Sequence, residues 1–328
     1  MELRKDPITR SWVVVGHTEA RETPATCPLC SPSVDSRPFL LRIPDQGPWQ
    51  VAVQPHLNPL YRVEEGADRR ADGIYDTMGP LGADEIVIET PEHNRRLEDL
   101  GENGIQAVLD AWVNRIQDLK RDQRFKYVSV FKNQGVLAGQ EWEHSYSQVT
   151  ATTFVPRRLL YELRAAREWY ASKERCVFCD IVRQEERQGK RIVDSQGDYV
   201  ALCPFAARVP FEVWLLNRKH NHLFERPDQA TNRRQLAALL RRVLRRLRQV
   251  APAYHLVVHT SPNTVAPVAS DNKKLRFWET IAEDYHWHLE ILPIVETRSK
   301  SYSIKEVYFN ALLPELAAER LRQLDPKT

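Results

Sequence analysis

The sequence predicts an α+β fold: two duplicated halves, mainly antiparallel sheets with packed helices. Three observations point to it. Two CxxC pairs occur, Cys27 and Cys30 in CPLC and Cys176 and Cys179 in CVFC. Each is followed by the same order of parts, namely strand, His, helix, strand, His. Several strand-like stretches also follow one another with no helix between them, which suits antiparallel pairing. The halves are expected at 1–165 and 166–328, with the boundary within residues 157–175.

In the first half, 85-EIVIE-89 alternates with a period of two and leads to His93. A helix follows, with Ile105, Val108, Leu109, Trp112, Ile116 and Leu119 on one face. Strand-like 127-YVSVF-131 then leads to His144. In the second half, 199-YVAL-202 and 212-EVWLL-216 read as strands, the latter leading to His220. A helix follows in which Leu236, Leu240, Val243, Leu247 and Val250 recur at intervals of three or four; its arginine-rich outer face, in 241-RRVLRRLR-248, is expected to be solvated. Strand-like 255-HLVVH-259 and then 285-YHWHLEI-291, with His286, complete the set. Cys203 closes a strand and reads as a small core residue.

Composition narrows the function classes. The chain has 328 residues, 42% hydrophobic and 28% charged, with a net charge of +3. That supports a folded core of more than one domain's length and gives no reason to expect nucleic acid. No run of about 18 apolar residues exists for a membrane span. The N-terminus carries no signal-peptide pattern, so the cytoplasm is the expected location. Five cysteines, four of them in CxxC pairs, indicate metal binding rather than a disulfide framework.

A CxxC turn brings two thiolates to one tetrahedral ion, which needs two further ligands. Cys27, Cys30, His93 and His144 make one Cys2His2 set; Cys176, Cys179, His220 and His286 make the other. Zinc suits mixed thiolate and imidazole donors, so two zinc ions per chain are expected. A closed four-ligand site leaves no open position, so the expected role is structural.

With these motifs in place, the sequence resembles the galactose-1-phosphate uridylyltransferase family of the histidine-triad superfamily. The resemblance runs from 6-DPITRSWVVV-15 through CPLC, 85-EIVIETPEHN-94, 131-FKNQGVLAG-139 and 144-HSYSQ-148. It continues through CVFCDI, 209-VPFEVWLLNRKH-220, 258-VHTSPN-263, HWHLEI and 313-LPELAAERLR-322. It implies the first zinc set as above and, in some members, the second. Other members hold iron there, through residues matching Glu162, His259, His286 and His288. It also implies a homodimer and a nucleotide sugar or sugar phosphate as ligand, with Arg21, Asn133, Gly135 and Gly139 on the nucleotide side.

The family's chemistry is double displacement. A His in H-x-H-x-Q attacks the α-phosphorus of a nucleotide sugar and carries the nucleotidyl group covalently, and the Gln supports the phosphate oxygens. A neutral imidazole suits that role near pH 7. In 139-GQEWEHSYSQ-148, His144 takes the first position and Gln148 the last, but Tyr146 stands in the nucleophile's place. Glu141 stands where the family has a phosphate-binding Ser, and Thr23 precedes Pro24 where it has a basic residue.

Three functions follow. One is a nucleotidyltransferase or phosphorylase with an altered centre, in which Tyr146 or His288 serves as the nucleophile. A second is a metal-stabilised binding protein without turnover. The third is a different reaction with Glu141 and Tyr146 as an acid/base pair.

Overall fold

Ten strands from the two halves of the chain form one sheet. The computed structural model describes residues 1–16, 26–226, 230–264, 279–295 and 307–327. In the first half, β1 (Glu2–Lys5) and β2 (Trp12–Val15) precede β3 (Leu41–Ile43) and β4 (Val51–Pro55). Next come β5 (Arg70–Asp72), β6 (Tyr75–Met78), β7 (Gly82–Ile88), α1 (Gly101–Leu119), β8 (Tyr127–Gln134) and β9 (Tyr146–Thr152). α2 (Arg157–Lys173) spans the expected boundary, and the second half continues with α3 (Val177–Gln188), β10 (Ile192–Gln196), β11 (Tyr199–Leu202) and β12 (Val213–Asn217). It ends with α4 (Ala230–Arg248), β13 (Ala253–His259), the short α5 (Ile281–Asp284), β14 (His288–Ile294) and α6 (Pro314–Gln323).

The large sheet runs β3-β4-β7-β9-β8-β13-β14-β12-β11-β10, and β2-β1-β6-β5 forms a small second sheet. Every pairing between these strands is antiparallel. Read from either edge inward, the strand sequence in each half is first, second, third, fifth, fourth, with the long helix between third and fourth. The halves meet where β8 pairs β13, with Phe131 opposite Val257 and Asn133 opposite His255. The expected α+β class with antiparallel sheets is the observed one.

One face of the large sheet is closed by α1 and α4. The i, i+3 and i+4 residues named above form the contact: Ile105, Val108, Leu109, Trp112 and Ile116 of α1 and Leu236, Leu240, Val243 and Leu247 of α4 lie in one continuous core with Val149, Val258 and Leu289. Trp112, fully buried, donates its indole N–H to Ser147 Oγ at 2.7 Å. No helix among the described residues is long and apolar enough to cross a membrane.

The arginine-rich face of α4 departs from expectation. Most of its arginines are half-buried and act as struts rather than solvated charges. Arg242 and Arg246 both grip Asp194 of β10, Arg241 and Arg245 donate to the carbonyl of Glu98, and Arg248 pairs with Asp99. A guanidinium spreads five donors over a planar fork and can therefore tie a helix to several neighbours at once.

Among the described residues, the opposite face of the sheet is covered mainly at its ends. Leu29, Val34, Ala52, Ile86, Ile88 and Trp142 pack over β4 and β7. Leu159, Leu163, Phe178, Val182 and Tyr285 pack over the second half. Between them the central strands carry half-buried residues: Gln148 and Thr150 on β9, Ser129, Phe131 and Asn133 on β8, Val257 on β13 and Leu292 on β14, with His255 exposed.

Candidate metal centres and ligand face

The first Cys2His2 set converges as expected. Cys27, Cys30, His93 and His144 each offer one ligand atom, and these atoms lie within 4.8 Å of one another. Cys30 Sγ is 3.4 Å from His93 Nδ1 and 3.5 Å from His144 Nδ1, and Cys27 Sγ is 3.8 Å from His144 Nδ1. In a tetrahedron with Zn–S near 2.3 Å and Zn–N near 2.05 Å, the sulfur–nitrogen edge is about 3.5 Å, so these spacings match the edges of a coordination shell. The remaining ring nitrogen of His144 meets the carbonyl oxygen of Thr90 at 2.7 Å, so Nε2 carries the proton and Nδ1 keeps its lone pair for a metal.

The second set, Cys176, Cys179, His220 and His286, repeats this geometry. Cys179 Sγ is 3.4 Å from His220 Nδ1 and 3.5 Å from His286 Nδ1. His220 Nε2 meets the carbonyl oxygen of Ala282 at 2.7 Å. The neighbouring Cys176 thiol, followed by the His220 and His286 imidazoles, holds the Cys179 thiol well below the usual thiol range.

The two ligand sets that resemblance offers for the second site are not alternatives at one place. His286 faces Cys179, while Glu162, His259 and His288 gather with Glu290 in a third group within 4.8 Å. His259 Nδ1 is 2.8 Å from Glu162 and its Nε2 is 3.4 Å from Glu290. The His259 and His288 rings stack at 4.6 Å and 15°. Two guanidiniums already reach Glu290, Arg208 at 2.7 Å and Arg158 at 3.1 Å, and Arg208 also binds Glu212. Burial opposes charge on His259, but Glu162 and Glu290 outweigh it and raise the imidazole to about 9. Burial and the neighbouring His259 then push His288 down to about 4. The third group is therefore a charge-balanced network in which an imidazolium and two arginines neutralise the carboxylates. Sequence reasoning missed Arg208, Arg158 and Glu290; the alternation HLE on β14, with Glu290 two residues after His288, was the available signal.

The loop between β8 and β9 places the motif residues. Gly135 has φ +89°, and a Cβ there would meet the Ala253 side chain at 2.9 Å, so the chain turns where only glycine fits. Gly139 has φ +77° with open space around it. The Gln140 side chain spans the loop: its oxygen accepts the Gly135 N–H, and its amide donates to the carbonyls of Trp142 and His144.

Tyr146 is 3% exposed, packed against Trp142 with ring centroids 5.3 Å apart. Its phenol oxygen accepts the backbone N–H of Glu141 at 3.0 Å. Burial raises its pKa, the charge of Glu141 adding to the effect. The Glu141 residue itself is exposed. Gln148 and Asn133 lie on the open face, on neighbouring strands, each beside a histidine absent from the sequence-derived site. Gln148 Nε2 is 3.3 Å from His56 Nε2, and Asn133 Oδ1 is 2.9 Å from His255 Nδ1. Arg21 falls outside the described residues.

An open pocket of about 1040 Å3 lies elsewhere, along α3 between Trp169, Phe205 and Glu315, and holds none of these groups.

Known proteins resemble this chain in sequence and in fold. The sequence profile of the galactose-1-phosphate uridyl transferase N-terminal domain matches residues 57–156. An ADP-glucose phosphorylase from Arabidopsis thaliana is 28% identical over 98% of this chain and 93% of its own length. A galactose-1-phosphate uridylyltransferase from Thermotoga maritima is 25% identical over 99% of both. Among solved structures, the Arabidopsis thaliana ADP-glucose phosphorylase with bound ADP-glucose superposes with a TM-score of 0.78 at 28% identity, covering 99% of each chain. A uridylyltransferase structure reaches 0.81 at 27% identity over 98% of each. Along nearly its whole length the chain is thus similar to galactose-1-phosphate uridylyltransferases and to an ADP-glucose phosphorylase.

Proposed function

We propose that this protein is a nucleotidyl-transfer enzyme, a transferase or phosphorylase acting on a nucleotide sugar and a phosphate or sugar phosphate, with a changed catalytic centre. The observation that carries this reading is Gln148 and Asn133 on adjacent strands of the half-open face of the large sheet. Amide side chains on a rigid sheet can hold phosphate and nucleotide by hydrogen bonds without adding charge. The similarity to an ADP-glucose phosphorylase and to uridylyltransferases supports the substrate class.

Zinc is the metal we assign to both Cys2His2 groups. The donor set is mixed thiolate and imidazole, the spacings match tetrahedral edges, and backbone carbonyls fix two of the histidine tautomers. Bound there, zinc would tie segments distant in sequence into one fold, each group being closed by four protein ligands. It would hold Cys27, Cys30 and His93 against His144, which leads directly into β9, and so fix the approach of Gln148 to the open face. Assembly as a homodimer and a cytoplasmic location belong to the same reading.

Tyr146 fills the position of the family's nucleophilic imidazole. A phenol with an ordinary pKa near 10 is ionised about one part in a thousand at neutral pH, and burial lowers that fraction further. Its oxygen is also engaged by the Glu141 N–H. We therefore read Tyr146 as a packed ring against Trp142 rather than as a nucleophile, which leaves retained binding without turnover as the second reading. Incubation with ADP-glucose or UDP-glucose plus inorganic phosphate or a hexose 1-phosphate decides between them. Nucleoside diphosphate or a new nucleotide sugar supports the enzyme, whereas tight binding with no product supports the binding protein.

A further inference from the structure

Two histidines stand apart from the metal groups and the charge-balanced network, and both touch the amides of the ligand face. Of the ten histidines, His17 lies outside the described residues. His93, His144, His220 and His286 belong to the Cys2His2 groups, and His259 and His288 to the Glu290 network. His222 Nδ1 is spent on Ser261 Oγ at 2.9 Å. The two left are His255, beside Asn133, and His56, beside Gln148.

His56 is the more tightly defined. It follows β4 directly, and its backbone N–H donates to the Asp84 carbonyl at 2.9 Å. The turn after it is clamped by the Asp84 carboxylate, which accepts the N–H groups of Leu60 at 2.7 Å and Tyr61 at 3.2 Å. The ring lies beside Trp142, centroids 5.8 Å apart, and is half-buried.

Its tautomer is set by the backbone. The Asn58 N–H points at Nδ1 from 3.0 Å, so Nδ1 is the acceptor and the ring proton sits on Nε2. The 3.3 Å contact with Gln148 then reads as Nε2–H donating to the side-chain oxygen of Gln148, with the amide turned to present that atom. An imidazole held in this way offers a hydrogen, not a lone pair, to the open face. Attack on phosphorus needs the lone pair, so His56 is unsuited to the nucleophile's role and suited to gripping a phosphoryl oxygen.

Resting on the nucleotide-sugar reading above, we propose that His56 binds the phosphate of the nucleotide sugar, its Nε2–H turning from the Gln148 oxygen to a phosphoryl oxygen while the Gln148 amide N–H donates alongside. A pair of donors spaced by one hydrogen bond fits two oxygens of one phosphate. Imidazole thereby returns to a centre where Tyr146 has taken the ring position, but as a donor.

The test is isothermal titration of ADP-glucose and UDP-glucose into the wild-type protein, His56→Phe and His56→Asn, with zinc content and melting temperature measured on each. Phenylalanine keeps a ring against Trp142 and removes the donor; asparagine keeps a donor. For the nucleotide sugar that binds, His56→Phe should raise Kd about 10- to 100-fold, the range for losing a hydrogen bond to a charged group. His56→Asn should recover to within about fivefold of wild type. Equal Kd for wild type and His56→Phe, or equal losses in both variants, overturns the inference and leaves the function reading intact. A wild-type protein that binds neither nucleotide sugar overturns the function reading and this inference with it.

Discussion

The phenol oxygen of Tyr146 accepts the backbone N–H of Glu141 at 3.0 Å, and that bond fixes the loop before β9 against the strand itself. The ring is buried against Trp142. Removing the hydroxyl alone should therefore cost stability and little else. Tyr146→Phe is expected to lose about 1 kcal/mol, the usual net worth of one hydrogen bond, and to leave nucleotide-sugar turnover within about twofold. A loss of a hundredfold or more in kcat with unchanged melting would instead place the hydroxyl in the chemistry.

Metal content follows from the three side-chain groups. Purified without added metal, the protein should carry two zinc ions per chain, one per Cys2His2 group. Cys27→Ser and Cys179→Ser should each lose one zinc and melt at a markedly lower temperature, because binding energy at a closed site is folding energy. The Glu162, His259, His288 and Glu290 network should hold none. Iron found in protein that keeps both zinc ions would show that the arginines do not neutralise that network.

Arg208 is the main counter-charge of that network, bridging Glu212 and Glu290 while only 12% exposed. Arg208→Met would strand two carboxylates in the interior. Breaking a buried pair from one side costs about 3–5 kcal/mol, so this variant should melt far lower than wild type or be recovered only as aggregate. Wild-type denaturant midpoints for Arg208→Met would assign the neutralising role to Arg158 and His259 alone.

Asp194 gives a pH-dependent counterpart away from every metal group. Burial would raise its carboxyl, but Arg242 and Arg246 outweigh burial and hold it below the ordinary carboxylate range. A folded pKa lowered in this way stabilises above the unfolded value, about 3.9, and the contribution is lost as pH falls through the folded value. Asp194→Asn should thus cost about 1–2 kcal/mol at pH 7, with the difference from wild type shrinking below about pH 4. Urea midpoints at pH 7 and in acid would measure it; a constant gap across that range would contradict the assignment.

Much of this architecture was legible in the sequence because its signals are local and repeated. The alternation in EIVIE and YVSVF, the apolar spacing from Ile105 to Leu119, and the two CxxC turns each carry their own physical cause. The Cys2His2 groups were readable since a thiolate pair must find two more ligands, and His93, His144, His220 and His286 recur in matching order. What stayed hidden depends on tertiary approach. Nothing local marks Arg242 and Arg246 as partners of Asp194, since 48 and 52 residues separate them. His56 meets Gln148 across 92 residues, through strands that are neighbours of neighbours in the sheet. The split of His286 from His288 was hidden too: His286 precedes β14 and joins the Cys176 group, while His288 opens the strand and joins Glu290.

We propose that Tyr146 does not replace the covalent nucleophile found in uridylyltransferases. Intact-protein mass after incubation with ADP-glucose and UDP-glucose tests it most directly, comparing wild type, Tyr146→Phe and the double variant Tyr146→His with Glu141→Ser. The double change puts an imidazole at position 146 and a serine, the residue the family has there, at position 141. No added mass is expected on wild type or Tyr146→Phe, and a nucleotidyl increment is expected on the double variant. A nucleotidyl increment on wild type that Tyr146→Phe abolishes would instead make Tyr146 the nucleophile.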